Sequence, residues 1–214
     1  MSEIIVQSNF EPSLQHQLRG DIATWDKELT SLLKTLPGER VIIFDNVNLS
    51  AGEVTCGEAL NLHTIRLGYD PTFAATPEEL KAKLQASYFH ESYHLARGFS
   101  FETTPSDQSA LTNAIEEGAA TKFEIIRAGS NPGYAQYEDR PTMLKWLKEV
   151  QSLPDGFDYN WKRWKFFDPE TGRTWVTYKV GVFIVDEALK HNPELSIEDF
   201  SILSTDKILE LSNL

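Results

Sequence analysis

Residues 76–98 carry helix signals at both ends, and near the far end of the helix they enclose two histidines stand four positions apart. Thr76-Pro77-Glu78-Glu79 offers an N-cap hydroxyl, a proline suited to the first turn, and a glutamate placed to close a capping box. Gly98 can take the left-handed backbone that ends a helix. The spacing therefore predicts a helix over 77–97 that contains His90-Glu91-Ser92-Tyr93-His94. Side chains four apart lie one above the other on the same helical face. Both imidazoles can then form two corners of a tetrahedral zinc site. Glu91 is about 100° around the axis from His90. It borders such a metal without being a ligand, where its carboxylate can take a proton from water.

The rest of the chain predicts the setting. Residues 13–35 read as an amphipathic helix with Leu14, Leu18, Ile22, Trp25, Leu29, Leu32 and Leu33 near helical spacing, stopped by Pro37-Gly38. Residues 40–45 (RVIIFD) suit a buried strand. Residues 62–68 alternate Leu62, Thr64 and Arg66 against His63, Ile65 and Leu67, which predicts a strand less buried on one face, at a sheet edge. Helices are expected over 107–128, closed by Gly129, then over 141–152, 173–190, 196–202 and 205–212. The aromatic stretch Trp161, Trp164, Phe166, Phe167 and Trp175 is read as packing of the helical half rather than as the lining of a cleft. Strands early and helices late predict an α+β fold with a small N-terminal sheet and a mostly helical C-terminal half. No repeat or long linker divides the chain, so 1–214 is read as a single domain.

Composition excludes several classes of function. A net charge of −12 is repelled by phosphates, so nucleic acid is not expected as a partner. Cys56 is the single cysteine, which rules out an internal disulfide and a four-cysteine metal cluster. The first residues lack a signal peptide's basic and apolar regions, and no stretch approaches the roughly 18–20 apolar residues that span a bilayer. These features predict a cytoplasmic protein without a membrane partner.

A catalytic zinc needs a third protein ligand and an open fourth position. Cys56 falls in an unpatterned loop before the strand, and His16, His63 and His191 are isolated. The better source is the segment Asn113-Ala114-Ile115-Glu116-Glu117-Gly118-Ala119-Ala120. On a helix, Leu111, Ile115, Gly118, Ala119 and Ile126 share one apolar sector, with Glu116 and Glu117 flanking it on opposite sides. Periodicity does not choose between the two glutamates. The small residues after them allow a neighbouring helix to approach closely.

The segments FHESYHLARG and NAIEEGAATKFE resemble the core of the gluzincin metallopeptidases, and more narrowly a bacterial family of zinc-dependent proteases. That family pairs an HExxH helix with a second helix carrying Glu-Gly-small-Ala. A third segment, Thr177-Tyr178-Lys179-Val180-Gly181, is similar to the family's Tyr-x-x-Gly at the start of a late helix. The resemblance runs over about residues 40–212. It implies a zincin-like domain binding Zn²⁺ through His90, His94 and Glu117, the glutamate directly before the glycine. It also implies Tyr178 near the metal, where a phenol can bond a developing oxyanion. Glu124, two turns beyond Glu117, and Thr121, one turn beyond, are candidates to support the ligands. The activity expected is a metallopeptidase acting on a peptide or protein, with Glu91 as general base. The alternatives are a catalytically silent peptide-binding domain and a zinc hydrolase of a non-peptide amide.

Overall fold

Short apolar runs in the first third of the chain pair into one mixed sheet in the computed structural model, which describes residues 3–6, 12–49, 54–73, 75–105, 107–156 and 160–214. Its strands are β1 (Glu3–Val6), β2 (Val41–Asn46), β3 (Thr55–Asn61) and β4 (Thr64–Tyr69), in the order β1-β2-β4-β3. β2 runs parallel to β1 and to β4, and β3 runs antiparallel to β4. The strand predicted over 62–68 is therefore not an edge: it is β4, paired on both sides. Leu62 and His63 form the turn that enters it, with the Asn61 Oδ1 accepting from the His63 N–H at 2.9 Å. The edge beside β4 is β3, which includes Cys56, so that cysteine is in a strand and not a loop. Its sequence TCGEALN has few β-branched or aromatic residues, and pairing with β4 rather than local propensity makes it a strand. The predicted alternation holds, since Ile65 and Leu67 are buried in register with Ile42 and Phe44.

Chain contacts divide the protein into two compact units: Met1–Thr103 with Ile126–Ser130, and Thr104–Ile125 with Asn131–Leu214. In the first, α1 (Pro12–Leu32) buries Leu18, Ile22, Trp25 and Leu29, and α2 (Pro77–Ala96) packs on β3 and β4. Asp26 of α1 pairs with the buried Arg40 and accepts the Tyr88 hydroxyl at 2.7 Å, tying α1 to α2 one residue short of Phe89-His90. Arg40 also donates to the Pro37 carbonyl, and a further partner of this kind offsets part of the cost of enclosing the charge.

The second unit is helical: α3 (Ala110–Ala128, its last residues in the first unit), α4 (Arg140–Gln151), α5 (Trp161–Lys165), α6 (Val176–His191) and α7 (Thr205–Ser212). α3 starts three residues later than expected because Ser109 caps it, its hydroxyl oxygen accepting from the Thr112 N–H at 3.0 Å. α6 also starts late. Residues before it form a bridge between Phe167 and Thr174, and Trp175 enters the helix in the left-handed conformation at φ 52°. The aromatic stretch is partly helix α5. Trp161 and Trp164 are half-buried, whereas Phe166 and Phe167 are exposed, so packing accounts for only part of it. Among the described residues, no helix is long and apolar enough to cross a membrane.

Candidate metal centre

Helix α2 is built as its sequence foretells. Thr76 Oγ1 accepts from the Glu79 N–H and the Glu79 carboxylate accepts from the Thr76 N–H, completing the capping box. At the other end Gly98 takes φ 72°, the Gly98 N–H donates to Leu95 O, and the Phe99 N–H donates to His94 O at 2.9 Å. This is the Schellman arrangement, which brings the residue after the glycine back over the last helical turn. Here that residue is Phe99, whose ring lies 4.9 Å from the His94 ring. The stop signal of the helix thus also packs one wall of a candidate ligand. From Tyr88 to Ala96 every residue of α2 is buried, which excludes a solvated histidine face.

His90 Nε2 and His94 Nε2 lie 3.1 Å apart. Two nitrogens bound at about 2.0–2.1 Å to one tetrahedral ion would be separated by about 3.3 Å, so the pair already has the spacing of two corners. His90, His94 and Glu117, all buried, form a group that could hold a metal ion, with one ligand atom of each within 4.8 Å of the others. Two imidazoles and a carboxylate make the donor set of an open catalytic metal site. Residues present and chemistry required therefore fit. Between the adjacent glutamates that periodicity left open, Glu117 enters the group, while Glu116, equally buried, does not.

Glu117 has a partner that sequence reasoning missed. Lys165 Nζ donates to Glu117 Oε1 at 2.8 Å, and the same ammonium stands 5.3 Å from the Tyr178 ring centre. Tyr178 is half-buried beside Tyr134, ring centres 5.0 Å apart, and the Tyr134 hydroxyl donates to Glu124 Oε2 at 3.0 Å. Burial, with the Glu124 charge next, pushes the Tyr134 phenol well above the usual range, so it stays protonated and donating. Glu124 therefore positions a tyrosine. Thr121, the other candidate support, is buried with its hydroxyl unpaired among the described residues. Lys165 belongs to a short helix with no periodic signature, and only tertiary packing identifies it.

Gly57 of β3 is the second omission. A Cβ built there would meet Glu91 Cγ at 2.7 Å and Oε1 at 2.8 Å. The edge strand passes so close to the Glu91 carboxylate that any side chain at this position would displace it. A glycine inside a strand often marks such a close approach, but that signal is readable only once residues 55–61 are known to be a strand.

Residues 71–210, 140 of the 214, match the family described as Predicted Zn-dependent protease (DUF2268). Comparison with curated proteins and with solved structures found no match.

Proposed function

The chain belongs to the family of predicted Zn-dependent proteases, and on that premise we propose that it is a zinc metallopeptidase of zincin-like fold that hydrolyses peptide bonds. The buried group His90, His94 and Glu117 carries this reading. These residues would hold the zinc, a metal suited to two imidazoles and one carboxylate. Zinc held there supplies Lewis acidity to the scissile carbonyl and acidifies water. Glu91 takes the proton of the attacking water on its carboxylate and returns it to the departing amine. Lys165 holds the Glu117 carboxylate in one orientation through Oε1. Tyr178 is the candidate donor to the developing oxyanion. The substrate is a peptide or protein in extended form, adding to the β3 edge by main-chain pairing. The family match runs through both compact units, which favours one domain over 1–214.

The test compares zinc-loaded wild type with Glu91→Gln on a mixed quenched-peptide library. The expected result is a loss of about 10²–10⁴-fold in kcat/KM at unchanged metal content. Equal turnover would remove Glu91 from this role. Turnover of small amides with no peptide cleaved would move the substrate to another class.

Gly57→Ala tests the base without touching its charge. The added methyl meets a flexible side chain rather than backbone. Glu91 should swing aside at a stability cost of about 1 kcal/mol or less. A displacement of about 1 Å should still lower kcat about 10²-fold. Undiminished kcat, measured beside a thermal melt, would show that Glu91 does not need its present position.

A further inference from the structure

Among the described residues, main chain pairs with the outer edge of β3 at one end and not at the other. The Phe101 N–H donates to Ala59 O at 2.8 Å, and the Glu102 N–H donates to Leu60 O at 3.2 Å. The chain that leaves α2 after its Schellman turn thus occupies the edge at residues 59–60. Main-chain groups alternate sides along a strand. Val54 O accepts from the Asp70 N–H, on the β4 side, whereas Ala59 O faces away from β4. Thr55 and Gly57 share the orientation of Ala59. Among the described residues, no main chain pairs with them on that side. Gly57 is also where the Glu91 carboxylate lies, so the bond to be cut belongs near Gly57.

An incoming strand gains slightly more per residue in antiparallel than in parallel pairing. In that direction, substrate residues opposite 59 and 60 precede those opposite 57. Two strand residues span about 6.8 Å, which leaves room for roughly two substrate residues before the occupied carbonyls. The closing segment also carries Glu102, whose exposed carboxylate has the sign that an α-ammonium group seeks.

We infer that the site takes the free amino end of an extended peptide, with residues 100–102 stopping the substrate one or two residues on the N-terminal side of the cleaved bond, so that the protein acts as an aminopeptidase. This rests on the metallopeptidase reading. The amide C–N bond breaks, the oxygen and one proton of a water complete the new carboxyl group, and the other proton goes to the amine.

Zinc-loaded protein is given a ten-residue peptide with a free N-terminus, the same peptide N-acetylated, and a version extended by five N-terminal residues. Products are followed in time by mass spectrometry. The expected result is stepwise release of one or two residues from free N-termini, with the acetylated peptide cut at least about tenfold more slowly. First products from the interior of the extended peptide would overturn the inference and leave the peptidase reading intact. Phe101→Pro removes the N–H that closes the edge, while Phe101→Ala keeps it and trims a side chain that is 84% exposed. The proline variant alone should gain interior cleavage. Should it fail to fold, binding of the uncleaved peptides to Glu91→Gln protein, read by fluorescence anisotropy, decides independently. The free-ended peptide should bind at least about tenfold more tightly than the acetylated one; equal affinities overturn the inference. That preference without any turnover by wild type would uphold the edge and sink the peptidase.

Discussion

Gly181→Ala is expected to destabilise the protein by about 3 kcal/mol or more, lowering Tm by roughly 6–12 °C. The sign is the test. In an exposed helix interior, alanine is more favourable than glycine by about 1 kcal/mol, and Gly181 lies inside α6. Here a Cβ would stand 1.7 Å from Ala114 O, 2.7 Å from Ala114 C and 3.0 Å from the Gly118 Cα. A Cβ on Gly118 would stand 2.1 Å from Gly181 C. These are backbone atoms, so no side-chain rotation relieves the clash and the helices themselves must part. Gly118 directly follows Glu117, and Gly181 is one turn beyond Tyr178. The glycine contact therefore fixes the spacing of a candidate ligand and a candidate oxyanion donor. Thermal and urea melts of Gly118→Ala and Gly181→Ala measure the cost, and an unchanged or raised Tm in either would contradict the crossing.

His94→Ala is expected to abolish tight zinc binding. An outer-shell partner of a metal ligand is worth about 10–100-fold in affinity, and loss of one of the three proposed protein ligands should exceed that. The wild type should purify with, or take up, about one zinc per chain, whereas the variant should lose it to a chelator that the wild type resists. Zinc should also raise the Tm of wild type and not of the variant, because only a native state that binds is stabilised. The His94 ring packs against His90 and Phe99, so a circular dichroism spectrum must accompany the titration. A folded variant that retains stoichiometric, chelator-resistant zinc would place the metal elsewhere.

Legibility differed along the chain for identifiable reasons. The capping box at Thr76, the stop at Gly98 and the face shared by His90 and His94 depend on atoms within a turn or two of one another, and each was readable from residue order. The buried alternation in β4 was readable for the same reason, but its place in the sheet was not. Whether a strand is an edge depends on whether another segment pairs beside it. That segment, TCGEALN, has little strand propensity of its own. With β3 read as loop, Gly57 had no meaning, and the edge was assigned to the wrong strand.

What the residue order settled alone was a capped helix presenting two imidazoles, with a carboxylate beside them, inside an α+β chain. Local hydrogen bonding and the 3.6-residue period are enough for that. Tertiary structure decided that Glu117 rather than Glu116 joins the histidines, because two residues flanking one apolar sector are equivalent until something packs on that helix. The partners that break the equivalence come from far along the chain: Gly181 against Gly118, and Lys165 on the Glu117 carboxylate. Their effect comes from close packing and charge at distances under 3 Å, which no periodicity within a single segment encodes.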